Sequence, residues 1–78
     1  MNLGEYNKVF MAVFDVDEAA LNDEFTFQNV SNWDSIAHMS LTTQLEDTFD
    51  IMLDTDDLLT FGSYTRGIEI MKKYGVEL

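Results

Sequence analysis

Apolar residues recur at three- and four-residue intervals in four stretches of the chain, and this pattern predicts helices. The first helix is expected from Leu3 to Phe14, and the second from Asp34 or Ser35 to Phe49. A short third helix is expected from Thr55 to Thr60, and a last helix from Tyr64 to Tyr74, stopping at Gly75. The pattern therefore predicts an all-α four-helix bundle with three longer helices and a short third one.

Capping residues precede three of the predicted helices. Asp34, Asp54 and Ser63 have side chains that accept hydrogen bonds from the first turn of a helix. In the second helix, the donor to Asp34 is expected to be the backbone N–H of Ile36 or Ala37. The starts of these helices are thus marked by local chemistry as well as by periodicity.

Two features interrupt the helical pattern. Gly67 lies inside the last helix, where glycine costs about 1 kcal/mol relative to alanine, and it indicates that a neighbouring helix approaches closely there. The connection over residues 15–31 is long for a compact domain, although Ala19-Ala20-Leu21 could add a turn of helix. We expect four apolar side chains to hold it by packing against the helices: Leu21, Phe25, Phe27 and Val30.

Composition and charge narrow the possible functions. The length of 78 residues predicts a single domain over residues 1–78. The net charge is −11. This charge argues against nucleic-acid and anionic-membrane partners and favours partners with basic patches. No apolar stretch approaches the ~20 residues of a membrane span, and no secretory signal is recognisable, so the cytoplasm is the expected location. The protein is also expected to be a monomer.

Metal sites of the common types are not expected. The chain has no cysteine and only one histidine, His38, which excludes cysteine-based and histidine-rich sites. Acidic runs occur at residues 15–18 and 54–57. Neither run is followed by the glycine and glutamate that an EF-hand calcium loop requires.

Ser35 is the residue with the clearest chemical potential. If Asp34 caps the second helix, the Ser35 hydroxyl points outward in the first turn, where the helix dipole favours an attached negative group. Three interpretations compete: an ordinary helix cap, a nucleophile with His38 as its base, and a site of covalent attachment. The nucleophile would also need an orienting group and an oxyanion hole, and no Gly-x-Ser-x-Gly elbow is present.

The surrounding residues resemble the acyl carrier protein family. Asp34-Ser35-Ile36 is similar to that family's Asp-Ser-Leu attachment motif, and the residues after it are similar to the family's second helix. Phe27 falls where these proteins often have a buried aromatic residue. The further matching positions are Met39, Leu41, Leu45, Glu46-Asp47, Phe49-Asp50-Ile51, Asp56-Asp57, Ser63-Tyr64 and Ile68.

The resemblance implies a four-helix bundle of the acyl-carrier type, in which Ser35 is esterified with 4′-phosphopantetheine and flanked by Asp34 and Ile36. A phosphopantetheinyl transferase would take this group from coenzyme A, using magnesium. Its thiol would carry acyl groups as thioesters between acyl-transferring and acyl-modifying enzymes of a fatty-acid, polyketide or other specialised pathway. The chain itself would be a carrier and not an enzyme. The alternative is an unmodified acidic helical module that binds a basic partner.

The resemblance also implies a partner surface, with contacts expected at Met39, Thr43, Glu46, Asp47, Leu58 and Phe61. Leu58 and Phe61 could instead belong to the core, or could gate a groove beside the second helix. The core between the second and fourth helices could part to admit an acyl chain, helped by the pliable side chains of Met39 and Met71.

Other positions depart from the family pattern. Ala37 and Ser40 stand where members serving primary fatty-acid synthesis tend to have acidic residues, and Asn32-Trp33 replaces the common Gly-x before the motif. These departures suggest a specialised pathway. Trp33 is expected to pack as a lid over the loop, with a place on the partner surface beside the cofactor as the alternative. His38 is expected to face solvent, where it could contact a partner.

Overall fold

Four α-helices and one 3₁₀ turn build the fold, which a computed structural model describes for residues 2–78. Helix α1 spans Leu3–Phe14, α2 spans Ser35–Phe49, α3 spans Thr55–Thr60 and α4 spans Tyr64–Lys73. The 3₁₀ turn, Glu18–Ala20, is the short helical turn expected in the long connection. The prediction of a small all-helical bundle with a short third helix is confirmed.

The capping predictions are also confirmed. Carboxylate oxygens of Asp34 and Asp54 accept the backbone N–H groups of Ala37 and Asp57 at 2.8 and 3.1 Å. The Ser63 hydroxyl accepts the N–H of Arg66 at 2.9 Å. Helix α4 ends one residue earlier than predicted, at Lys73, and the chain turns at Gly75 with φ of 84°. Local side-chain chemistry therefore places the helix starts.

Aromatic side chains fill the core. Phe10 of α1 is fully buried, and its ring centroid lies within 6.3 Å of six neighbouring aromatic rings. Helix α2 packs chiefly on α1, through the buried side chains of Leu41 and Leu45. Full burial of a large apolar side chain contributes about 1.5–3 kcal/mol to stability. The six aromatic rings around Phe10 are those of Tyr6, Phe14, Phe25, Trp33, Phe61 and Tyr64.

Gly67 lies at the closest approach between α4 and its neighbours. A Cβ atom at this position would overlap the Tyr6 hydroxyl and the Phe61 ring. Tyr6 cannot move away easily, because it is buried and its hydroxyl donates to the Tyr64 carbonyl at 2.7 Å. Burial also raises the pKa of Tyr6 well above its usual range. The predicted close approach of a neighbouring helix is confirmed, with the α3–α4 turn contributing as well.

The long connection is held by backbone pairing as well as by side chains. Thr26 and Ser63 form an isolated antiparallel bridge, in which the Phe27 N–H donates to the Gly62 carbonyl at 2.9 Å. Phe25 is buried as expected, and Leu21 and Val30 are half-buried. The connection is thus fastened to the turn between α3 and α4.

The aromatic positions before α2 correct two expectations. Phe27 is 52% exposed, so the prediction that it packs inside is wrong. Trp33 is 3% exposed and packs against Phe14 and Phe25, with ring centroids 5.0 and 5.9 Å away. Trp33 is therefore part of the core and not a lid. It occupies the interior space, and the Phe27 ring contacts its edge from outside, at 6.5 Å.

Helix α2 also presents a different face to the core than expected. Ile36 and Met39 are 80% and 68% exposed, so they do not extend the buried side of the helix. At about 100° per residue, they lie opposite Leu41 and Leu45. The half-buried His38 falls on the buried side, and the expectation that it faces solvent is wrong.

Candidate functional site around Ser35

Ser35 is the first residue of α2 and is exposed. Asp34 before it has extended backbone, with φ of −108° and ψ of −173°, and its carboxylate is occupied in capping Ala37. This arrangement turns the chain sharply into the helix and leaves the Ser35 side chain at the protein surface. The positive end of the helix dipole favours negative charge at this position.

A groove of about 620 Å³ opens beside Ser35, between α2 and α3. On the α2 side it is lined by Ser35, His38, Met39, Thr42, Thr43 and Glu46. On the other side it is lined by Phe27 and Gln28 of the connection and by Leu58, Leu59, Phe61 and Gly62. Glu46 is the sole carboxylate among these lining residues, and no lysine or arginine is among them. The volume lies within the range of small-molecule sites, and a lining with so little charge suits an apolar or neutral occupant.

His38 connects three segments at the floor of this groove. The Trp33 indole N–H donates to His38 Nδ1 at 3.1 Å, and His38 Nε2 lies 2.8 Å from the Leu58 carbonyl oxygen. An indole nitrogen only donates, so Nδ1 must be the acceptor and Nε2 must carry the proton. The neutral imidazole therefore ties the start of α2 to α3.

The position of His38 argues against the nucleophile interpretation of Ser35. Both ring nitrogens are engaged, one by the Trp33 indole and the other by the Leu58 carbonyl. Neither nitrogen is free to accept a proton from the Ser35 hydroxyl in this arrangement. The three-residue spacing that suggested a pair reflects instead the location of His38 on the buried face of α2.

The sequence contained a signal for the half-buried position of His38, although His38 was expected to face solvent. His38, Leu41 and Leu45 follow the three- and four-residue steps of a buried helical stripe. The pairing of His38 with Trp33 and with the Leu58 carbonyl had no such signal. It depends on a residue before the helix and on a backbone group 20 positions away.

The expected partner-contacting residues are distributed over different environments. Met39, Thr43 and Asp47 are exposed on one face of α2. Glu46 is half-buried, and its carboxylate accepts the backbone N–H of Leu53 at 2.9 Å. Leu58 is half-buried and Phe61 is 1% exposed. Phe61 thus belongs to the core, as the alternative held, while both residues also line the groove.

Helix α3 is joined to the end of α4 by hydrogen bonds to the Asp57 carboxylate. The Asp57 carboxylate accepts hydrogen bonds from Lys73 Nζ at 2.9 Å and from the Tyr74 hydroxyl at 2.6 Å. The pKa of Asp57 lies below its usual range, chiefly because of the hydrogen bond from Lys73 and secondly because of the one from Tyr74. The same hydrogen bond with Asp57 raises the pKa of Tyr74. The interaction is structural, because it joins α3 to the end of α4.

The recess differs in position from the opening that was expected. It lies between α2 and α3, whereas an opening between α2 and α4 was predicted. Met71 of α4 is fully buried, and Met39 is the methionine that lines the groove. The small α3, six residues long, forms the wall opposite α2.

Among residues 2–78, no group of three histidine, aspartate or glutamate side chains is arranged to hold a metal ion. None of the helices in this part of the chain is long and apolar enough to cross a membrane.

Compared with known proteins, the chain matches no family model, and no curated protein matches its sequence. The assignment of a function therefore depends on the geometry around Ser35.

Proposed function

We propose that this chain is a carrier protein of the acyl-carrier type, in which Ser35 is esterified with 4′-phosphopantetheine. The observation that carries the proposal is the placement of one exposed serine. Ser35 stands at the first position of α2 and lines a largely apolar groove of about 620 Å³. An attached arm would leave from the mouth of a recess that suits an apolar cargo.

The residues around Ser35 fit such a group. Asp34 holds the start of the helix by capping Ala37, which presents the Ser35 hydroxyl to a transferase. The positive end of α2 would stabilise the negative phosphodiester formed at that oxygen. Ile36, beside Ser35 and 80% exposed, would face the incoming enzyme. The phosphopantetheine thiol would supply the thioester chemistry, since the chain has no cysteine of its own.

The proposal extends to partners and surroundings. The partners are a phosphopantetheinyl transferase, which uses coenzyme A and magnesium, and acyl-transferring or acyl-modifying enzymes with basic patches. The net charge of −11 would steer such partners toward the protein. The carrier would act as a monomer in the cytoplasm, in a fatty-acid, polyketide or other specialised acyl pathway.

The test is the intact mass of the folded protein before and after incubation with a broad-specificity phosphopantetheinyl transferase, magnesium and coenzyme A. We expect a gain of one phosphopantetheine, absent in Ser35→Ala. Ser40→Ala is the matched control, because it removes a second serine hydroxyl from α2 and should leave the gain intact. No gain in a helical sample would overturn the proposal and favour an unmodified acidic binding module.

A further inference from the structure

The single histidine and the single tryptophan of the chain are hydrogen-bonded to one another. The Trp33 indole N–H donates to His38 Nδ1 at 3.1 Å, and the two ring centroids lie 6.2 Å apart with an interplanar angle of 27°. Trp33 belongs to the buried core, whereas His38 is half-buried and lines the groove. The pair therefore joins the packed interior to an open groove.

The hydrogen bond between the two rings requires a neutral His38. An indole nitrogen only donates, so Nδ1 must supply a lone pair, and a protonated imidazole donates from both of its nitrogens. Protonation at Nδ1 would set two N–H groups against each other. The indole N–H would then have no acceptor inside the core, where an unsatisfied donor is unfavourable. Half-burial of the imidazolium would also be unfavourable, because burial disfavours the charged form of a side chain.

Trp33 is the member of the pair that cannot move away. Its ring packs among those of Phe10, Phe14 and Phe25, with centroids 6.1, 5.0 and 5.9 Å away. His38 borders the groove and can turn toward water about its side-chain bonds. We therefore expect the imidazole to leave its position when it becomes charged.

The charged side chains of α2 near His38 are engaged elsewhere. The carboxylate of Asp34, one turn before His38, accepts the N–H of Ala37 at 2.8 Å. Glu46 lines the same groove but lies about 12 Å further along the helix, and its carboxylate accepts the N–H of Leu53. Within residues 2–78, no carboxylate oxygen lies within 4.0 Å of a His38 ring nitrogen.

The elements around His38 place no other carboxylate beside it. Residues 25–33 of the connection contain no charged side chain. On α3, the Asp54 carboxylate caps the helix, and the Asp57 carboxylate is bonded to α4. The remaining charged side chains of α1 and α3 are exposed, and these are Glu5, Lys8 and Asp56. A positive charge on His38 is therefore not offset by a carboxylate already in place.

We propose that His38 makes the groove sensitive to pH: protonation of Nδ1 breaks the hydrogen bond from Trp33, the imidazolium turns into the groove, and the hydrogen bond to the Leu58 carbonyl is lost with it. The link between α2 and α3 is thus present at the higher pH, where the imidazole is neutral. It is lost as the pH falls through the range of about 8 to 5, in which histidine ordinarily gains its proton. The inference goes beyond the proposed function, because it needs no group on Ser35.

The released part of the molecule is the side of α3 that faces the groove. The Leu58 carbonyl loses the N–H of His38, which lies 2.8 Å from it in the neutral state. The Asp57 carboxylate still holds α3 to Lys73 and Tyr74. Lower pH should therefore widen the groove and loosen α3, while α1 and the aromatic core keep their packing.

The experiment follows the Trp33 indole N–H and the His38 ring by NMR from about pH 7.5 to about pH 5. Each residue type occurs once in the chain, so the two signals are assigned directly. We expect the indole resonance to shift with the same midpoint as the His38 ring protons. Over this range, protection of the α3 amides from hydrogen exchange, corrected for the intrinsic rate at each pH, should fall at least about threefold. Protection in α1 should change less than about twofold.

His38→Gln is the matched variant. A glutamine amide offers both an acceptor and a donor and does not titrate, so its indole resonance and its α3 protection should stay constant over the same range. Ser40→Ala, on the same helix, should titrate as the original protein does. If His38→Gln loses its helices by circular dichroism, the ¹⁵N shifts of the His38 ring in the original protein decide. At about pH 7.5 the proton must then be found on Nε2 and not on Nδ1.

Four results would each overturn the inference. They are an indole resonance that stays fixed while His38 gains its proton, a histidine that remains neutral down to about pH 5, a proton on Nδ1 at the higher pH, and the same titration in a folded His38→Gln. None of these results bears on the mass gained at Ser35, which is measured separately at constant pH. The carrier function and the pH-sensitive link can therefore fail independently.

Discussion

The two faces of α2 carry similar apolar residues and differ in what covers them. On one face Leu41 and Leu45 are fully buried against the aromatic core. On the other face Ile36 and Met39 remain exposed beside an open groove. The comparison teaches that apolar character alone does not decide burial here. Packed side chains cover the first face, and the second remains open to solvent.

The packed core, which is the closed side of the molecule, and the groove, which is its open side, also differ in how their helices are attached. In the core, the Tyr6 hydroxyl of α1 and the Phe61 ring meet α4 at Gly67, with no space for one more carbon atom. Beside the groove, α3 is joined to α2 by the hydrogen bond between His38 and the Leu58 carbonyl. Single substitutions can separate these contributions.

Gly67→Ala tests the closed side and should have the largest effect. The added Cβ would overlap the buried Tyr6 hydroxyl and the buried Phe61 ring, and overpacking of this kind costs about 1–3 kcal/mol. Urea unfolding followed by circular dichroism measures the loss. Gly4→Ala is the matched control in α1, because no atom lies within 4 Å of its Cβ position. It should be neutral or stabilising by up to ~1 kcal/mol, and an equal loss in both variants would contradict the close packing at Gly67.

His38→Ala tests the attachment on the open side. The Trp33 indole N–H and the Leu58 carbonyl lose their shared partner, and each unsatisfied group costs about 1–3 kcal/mol if water cannot reach it. We expect a stability loss near the lower limit, because the groove admits water. Hydrogen exchange should accelerate in α3 more than in α1, while Ser40→Ala should leave both unchanged. Uniform acceleration across the helices would argue against a specific link to α3.

Asp57 tests the attachment between α3 and α4, and its substitution should have the smallest effect of the three. Its folded-state pKa is lowered by the hydrogen bonds from Lys73 and Tyr74. Its stabilising contribution is therefore complete above the unfolded pKa, near 3.9. The contribution is lost as the pH falls through the lower folded value.

Melting temperatures measured from pH 7 to pH 2 check this expectation. The difference in melting temperature between the original protein and Asp57→Asn should shrink toward the acid end, because a protonated Asp57 is uncharged, as the asparagine of the variant is at every pH. Asp56→Asn is the matched control on the exposed side of α3. A difference that stays constant over the whole range would show that the charge of Asp57 does not matter.

Much of the fold follows from local rules. The periodic apolar positions predicted all four helices, and α1 and α3 have the predicted boundaries. Asp34, Asp54 and Ser63 act as the predicted caps, because capping depends on residues two or three positions apart. Gly67 predicted a close approach because glycine is otherwise unfavourable inside a helix.

The candidate site was predictable only in part. Ser35 and Asp34 stand where the sequence placed them, at the start of α2. A groove beside the second helix was considered for Leu58 and Phe61, and both residues line the one observed. The exposure of Phe27 and the burial of Trp33 were not foreseen. Both aromatic residues lie in a connection without regular periodicity, so the sequence contains no pattern that says which of them faces inward.

The amino-acid sequence by itself determined the helices, their caps, the acidic charge and the position of Ser35 at a helix start, because these depend on near neighbours in the chain. Only the tertiary structure decided that Trp33 fills the core and that His38 links α2 to α3. It also decided where the largely apolar groove opens beside Ser35. These features depend on groups far apart in sequence competing for the same interior space, and close packing settles that competition in three dimensions.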